Sequence, residues 1–145
     1  MSWFNYYGLI AVVIILIPNI ICSILNKGAF ENKFNNKAII VLEQIGRYGC
    51  MVFMVFNIPY TWFDFWFENA LIVYWAVGGT LLAAYCLGWL IFWKSKSLIK
   101  ALYLSITPTV LFLFCGIIIA SIPLIVCAIL FGACHITISY KNAKI

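Results

Sequence analysis

The chain has 145 residues, of which 66% are hydrophobic, 18% aromatic and 9% charged, with a formal net charge of +5. A typical soluble domain carries about 25% charged residues, and the mean hydropathy here is +1.10. These values exclude a soluble globular domain, a disordered chain and a basic nucleic-acid binder, and leave an integral membrane protein with almost no mass outside the bilayer.

A helix needs roughly 20 apolar residues to cross the hydrocarbon. Five stretches qualify, at about 3–26, 38–59, 70–93, 101–121 and 122–140. The last two are separated on length. A single helix over 101–140 would be about 60 Å long, twice the hydrocarbon thickness. Ser121-Ile122-Pro123 supplies the break, because proline favours a helix start and disrupts a helix interior. The runs are continuously apolar, without the alternation of a barrel strand. The expected fold is all-α, a polytopic membrane bundle of five transmembrane helices forming a single domain. Residues 1–8 contain no lysine or arginine, so the first apolar run is expected to be a span rather than a cleavable signal peptide.

Lysine gives the orientation. Lys27, Lys33 and Lys37 lie between spans one and two, Lys94, Lys96 and Lys100 between spans three and four, and Lys141 and Lys144 after span five. The loop between spans two and three carries Asp64 and Glu68 and no lysine. Five spans put all eight lysines on one side, and the positive-inside rule makes that side the cytoplasm. The N-terminus is then outside and the C-terminus inside a cell membrane, with a bacterial plasma membrane expected. Four or six spans would split the lysines between faces.

Arg47, the only arginine, stands near the middle of span two, one helical turn from Glu43. Charges at such depth face the protein interior or a wet cavity, and an i,i+4 pair offsets part of its own cost. Glu43, Arg47, Cys50, Met54 and Asn57 fall on one helical face, and Gly46 and Gly49 beside them allow another helix or a ligand to approach closely. Counting about 1.5 Å per residue from the cytoplasmic lysines, Glu43 and His135 lie about 9 Å deep, Thr107 about 10 Å, Asn19 about 12 Å, Tyr85 about 13 Å and Arg47 about 15 Å. Each span thus contributes a polar side chain to one layer. Pro18-Asn19 and Thr107-Pro108 add freed backbone carbonyls at Ile14 and Leu104.

Two readings of that layer compete. In one it is a polar network that joins the helices. In the other it is a cytoplasm-side pocket for a small polar or anionic ligand. Arg47 would then be the anion anchor, Glu43 its counter-ion, and Asn19, Tyr85 and Thr107 a hydrogen-bonding wall, with His135 and Asn57 as further candidates. The six cysteines, Cys22, Cys50, Cys86, Cys115, Cys127 and Cys134, all lie within spans and form no CxxC pair, so they read as small core residues rather than disulfides. A soft metal site at Cys134 and His135 with Cys22 and Cys86 is disfavoured, because adjacent helical residues point about 100° apart. No metal and no cofactor are expected.

Residues 60–68 hold Tyr60, Trp62, Trp66, Asp64 and Glu68, and read as an interfacial aromatic anchor or as an acidic vestibule for a cation. Trp3, Tyr6 and Tyr7 extend the belt, and Trp89, Phe92 and Trp93 form its cytoplasmic counterpart. Taken together, Pro18-Asn19, Glu43-x-x-x-Arg47, Asn57-Ile58-Pro59-Tyr60 and His135 resemble small five-span membrane proteins of Gram-positive bacteria, and the Ile-, Asn- and Lys-rich wording fits an AT-rich genome. The resemblance covers the whole chain and implies no activity. With no HExxH, no GxSxG and no paired carboxylates, catalysis is not expected. The leading expectation is binding or transport of a small polar or anionic solute. The alternative is a non-catalytic assembly or regulatory subunit whose Glu43–Arg47 layer is structural. The expected partners are the lipid bilayer, a small-molecule ligand, and a second copy or another membrane subunit. Nucleic acid is not among them.

Overall fold

The structure is a computed structural model that describes residues 4–25, 36–58, 60, 67–92 and 98–144. Five helices occupy the apolar runs: α1 (Tyr6–Leu25), α2 (Lys37–Val55), α3 (Ala70–Ile91), α4 (Leu98–Ile118) and α5 (Ile122–Lys144). Four of them, α2 to α5, are long and apolar enough to cross a membrane, while the corresponding stretch of α1, Tyr6–Ile21, is shorter. The helical architecture and apolar surface are those of an integral membrane protein. Large aliphatic side chains face outward along the bundle, such as Ile72 on α3 and Val126 and Ile129 on α5, as expected where lipid rather than water is the solvent.

The helices do not follow chain order around the bundle. Neighbours run α1, α2, α5, α4, α3 and back to α1, and α2 also touches α4 across the centre. The most extensive contacts are those of α5 with α2 and with α4. Small residues explain why. A Cβ placed on Gly46 would lie 2.7 Å from the Phe131 backbone nitrogen, and one on Gly49 would lie 2.6 Å from Cys127 Sγ. The α2 glycines therefore let α5 approach to backbone distance, the packing mode that joins helices where no hydrophobic drive separates them from lipid. Across the other face of α5, the Ser105 hydroxyl donates to Ser139 Oγ at 2.6 Å.

The α4–α5 hairpin turns where proline marks it. Ser121 N–H donates to Gly116 O at 2.9 Å and Ala120 N–H to Ile117 O at 3.1 Å. This 6→1 and 5→2 pair is a Schellman closure, which places its penultimate residue in the left-handed region. That residue is Ala120, at φ 51°, where glycine is the usual occupant. Pro123 then falls in the first turn of α5, where its missing N–H has no helical partner to lose.

At the opposite end from the lysines, α1 is pinned to α2. The Asn5 amide donates to Val55 O at 2.7 Å, and the Asn5 side chain caps α1 by accepting from Gly8 N at 3.0 Å. Phe4 packs edge-on against Phe56 at 5.7 Å. A Cβ on Gly8 would overlap Met54 O, so the two backbones touch. This attachment does not persist along α1. Gly8, Ala11, Val12 and Ile15 are buried, and beyond Ile15 the described side chains of α1 are half-buried or exposed.

The aromatic stretch at 61–66, which includes Trp62, Asp64 and Trp66, lies outside the described residues, as do Trp3, Lys27, Lys33, Trp93, Lys94 and Lys96 and the side chains of Cys22 and Lys144.

Candidate functional site

Helix α2 carries the charged centre. Asn36 begins it, accepting from Ile39 N through its side chain, and the next turns carry Glu43 to the interior and Arg47 to a half-buried position beside it. The Glu43 side chain is 3% exposed and that of Arg47 is 35% exposed. Arg47 Nη2 donates to Glu43 Oε1 at 2.5 Å. His135 of α5 brings its Nδ1 to 3.3 Å from the same oxygen. The imidazole is held by stacking on Phe131, with ring centroids 4.7 Å apart and planes at 15°. One carboxylate oxygen therefore receives a cation from its own helix and an imidazole from the neighbouring one.

The side on which Arg47 lies follows from helical rotation. At about 100° per residue, Gly46 and Gly49 fall about 60° and 120° from Glu43 on the side facing α5. Arg47 falls about 40° away on the other side, toward α1. There α1 has left the bundle core, and the guanidinium keeps its exposure. Glu43 is the closed end of this unit and Arg47 the open end.

Asn19 and Tyr85 complete the layer. Asn19 Nδ2 donates to Tyr85 Oη at 2.8 Å, joining α1 to α3. The same amide group donates to Ile15 O, four residues back in its own helix, at 2.8 Å. Tyr85 is 4% exposed, with Trp89 beside its hydroxyl and the Arg47 charge within electrostatic reach.

Two sequence candidates stand apart. Thr107 is buried, but its hydroxyl donates to Tyr103 O within α4 at 2.7 Å, and Thr109 does the same for Ser105 O at 2.8 Å. Both hydroxyls are taken up by carbonyls of their own helix, on either side of Leu104, whose carbonyl Pro108 frees. Asn57 is buried too, but lies ten residues beyond Arg47, roughly 15 Å toward the opposite end. It neighbours the α1 attachment, not the charged centre. The structure thus groups Glu43, Arg47 and His135, adds the Asn19–Tyr85 pair beside them, and leaves Thr107 and Asn57 elsewhere.

Sequence reasoning missed the buried cap Asn5 and the Ser105–Ser139 bond. The second was detectable, because the two serines stand nearly equally far from the Ser121 turn and so meet across an antiparallel hairpin. Among the described residues, no group of three or more histidine, cysteine, aspartate or glutamate side chains is arranged to hold a metal ion. The chain matches no protein-family model, no curated protein and no solved structure.

Proposed function

We propose that the chain is a five-span cell-membrane protein, N-terminus outside and C-terminus in the cytoplasm, that binds or carries a small polar or anionic solute at Arg47. The observation that carries this reading is the asymmetry of the ion pair: Glu43 is buried while Arg47 keeps 35% of its side chain exposed. A guanidinium has five N–H donors in a fixed fork. Glu43 Oε1 accepts from Nη2, so the carboxylate engages one end of the fork and leaves other donors that an anion could use. An anion arriving there would meet a fixed cation with the Asn19–Tyr85 pair in the same layer. At 145 residues, with five spans that cannot divide into two equal inverted halves, the chain fits an oligomer or the membrane subunit of a larger complex better than a self-sufficient alternating-access transporter.

A second reading has its own support. The 3.3 Å approach of His135 to Glu43 ties α5 to α2 at one of the two most extensive interfaces in the bundle. A purely structural polar layer in an assembly or regulatory subunit would use the same contact.

Thermal unfolding in detergent, scanned against phosphate, sulfate and short carboxylates, separates the two. The solute reading expects at least one anion to raise the melting temperature of the native chain. The paired variant Glu43→Gln with Arg47→Leu should stay folded and lose that response. If no anion shifts the native chain, or the paired variant responds identically, the layer is structural.

A further inference from the structure

Two groups of different kinds share one oxygen of Glu43. Arg47 Nη2 donates to Oε1 from one turn along α2, and His135 Nδ1 of α5 stands 3.3 Å from the same atom. An arginine is charged at every physiological pH, whereas a histidine changes its charge between about pH 5 and 8. An ionised carboxylate only accepts hydrogen bonds, so the imidazole nitrogen that faces it carries a hydrogen. The other ring nitrogen, Nε2, is then the atom that takes up or gives up a proton. Stacking on Phe131 at 4.7 Å holds the ring in this orientation. The His135 side chain keeps 24% of its surface exposed.

Charge balance decides what happens when the site is filled. With His135 neutral, Glu43 and Arg47 cancel. The other titratable groups around them leave that sum unchanged. The Cys134 thiol of α5 is within electrostatic reach of Glu43, and the Tyr85 hydroxyl of α3 within reach of Arg47; such groups are uncharged near pH 7. Tyr48 on α2 is exposed, as are Lys37 and Lys141 at the lysine-side ends of α2 and α5. On α4, Lys100 lies over Trp89 and Tyr103 donates to Ala84 O, so both engage α3. Helix α1 offers Asn19, which does not titrate. A singly charged anion at Arg47 therefore leaves one net negative charge at a depth where charge is costly and is compensated by a neighbour. His135 is the group in contact that supplies the compensation. One proton on its ring gives the filled site the same zero balance as the empty one.

We propose that Glu43, Arg47 and His135 form a proton-coupled anion site, in which His135 takes up one proton as an anion binds Arg47 and the two leave together. This rests on the solute reading of Arg47 and adds the second species that the site carries. The proton comes from water and goes to Nε2, so Glu43 stays ionised between two cations while the remaining Arg47 donors serve the anion. Coupling is reciprocal: the proton favours the anion by the factor by which the anion favours the proton. The protonated site binds more tightly, so affinity is highest at low pH and falls as pH rises through the histidine range.

The test titrates the full chain in detergent with sodium formate and with sodium sulfate, whose charges are constant over this range. Melting temperature is read against an anion-free sample at the same pH, in steps from about pH 5.5 to 8. In the native chain, apparent affinity should fall about tenfold per pH unit, the slope of one linked proton, and a weakly buffered sample should turn more alkaline as anion is added. His135→Gln takes no proton, so it should bind at the weak, high-pH level throughout, with no slope and no proton uptake. Glu43→Gln removes the charge that the proton offsets, so it should bind tightly at every pH, again without slope. A merely structural His135 would change stability and leave the slope in place. Should His135→Gln not fold, Glu43→Gln and the proton uptake of the native chain decide. An anion response without pH dependence or proton uptake in the native chain, or a slope that survives in either variant, would overturn the coupling and leave the solute reading standing. No response to either anion at any pH would overturn both.

Discussion

Replacing one glycine on α2 tests how closely this bundle is packed around its charged centre. A Cβ on Gly46 would stand 2.7 Å from the Phe131 nitrogen, 2.9 Å from its Cα and 3.0 Å from its Cβ. Those atoms belong to a helix backbone and its first side-chain carbon, so no rotamer change relieves the clash. Either α5 moves outward or Gly46→Ala does not fit. Overpacking of this kind costs about 1–3 kcal/mol, and alanine returns up to about 1 kcal/mol of helix propensity. The net expectation is a loss of about 1–2 kcal/mol. Gly79 on α3 is the matched control, since a Cβ there meets nothing within 4 Å. Gly79→Ala should be neutral or stabilising by up to about 1 kcal/mol. Cys50 and Cys115 are buried free thiols, so a thiol-reactive dye reports unfolding of both variants in detergent. The displacement should also be felt at His135, one turn beyond Phe131, and weaken its hold on Glu43. Equal melting temperatures for Gly46→Ala and Gly79→Ala would refute the close α2–α5 approach.

Three further perturbations follow from single contacts. Ala120→Gly should raise stability by about 1–2 kcal/mol, the penalty an L-residue bears in the left-handed region, and an unchanged or lowered melting temperature would contradict the Schellman closure at φ 51°. Ser139→Ala removes the acceptor of Ser105 and should cost about 0.6 kcal/mol, the mean for such bonds inside membranes, as read by denaturant titration. Tyr85→Phe should cost a similar amount, because Asn19 keeps its bond to Ile15 O. A loss above about 2 kcal/mol would mean that Tyr85 supports more than the Asn19 link.

The apolar runs, the break at Ser121-Ile122-Pro123 and the inward stripe of α2 were legible because each is a local pattern. Helix length, proline chemistry and a 3.6-residue period need no knowledge of the partner. Glu43 and Arg47 were readable as a pair for the same reason, being one turn apart on one helix. The ring order of the helices was not legible. In an all-apolar chain both faces of a helix can pack, so nothing in the sequence says that α2 meets α5 across some eighty residues rather than its neighbour α3. The Glu43–His135 contact depends on that pairing and was hidden with it. Depth counting placed both residues at about 9 Å, which set the right layer without naming the partner. Thr107 was misleading in the opposite way. A threonine beside a membrane proline looks like part of a polar wall, yet its hydroxyl is used by its own backbone. The left-handed Ala120 gave no signal, since glycine is the residue that normally marks such a turn.

The account rests on a buried carboxylate held by the cation one turn away and by an imidazole from α5. The most direct measurement is a double-mutant cycle in unfolding free energy over Glu43→Gln, Arg47→Leu and the two together. Groups in contact couple by roughly 0.5–3 kcal/mol, so the account predicts that the double change costs less than the sum of the single changes by an amount in that range. Additive losses, within about 0.5 kcal/mol, would mean that the two side chains do not depend on each other and would contradict it.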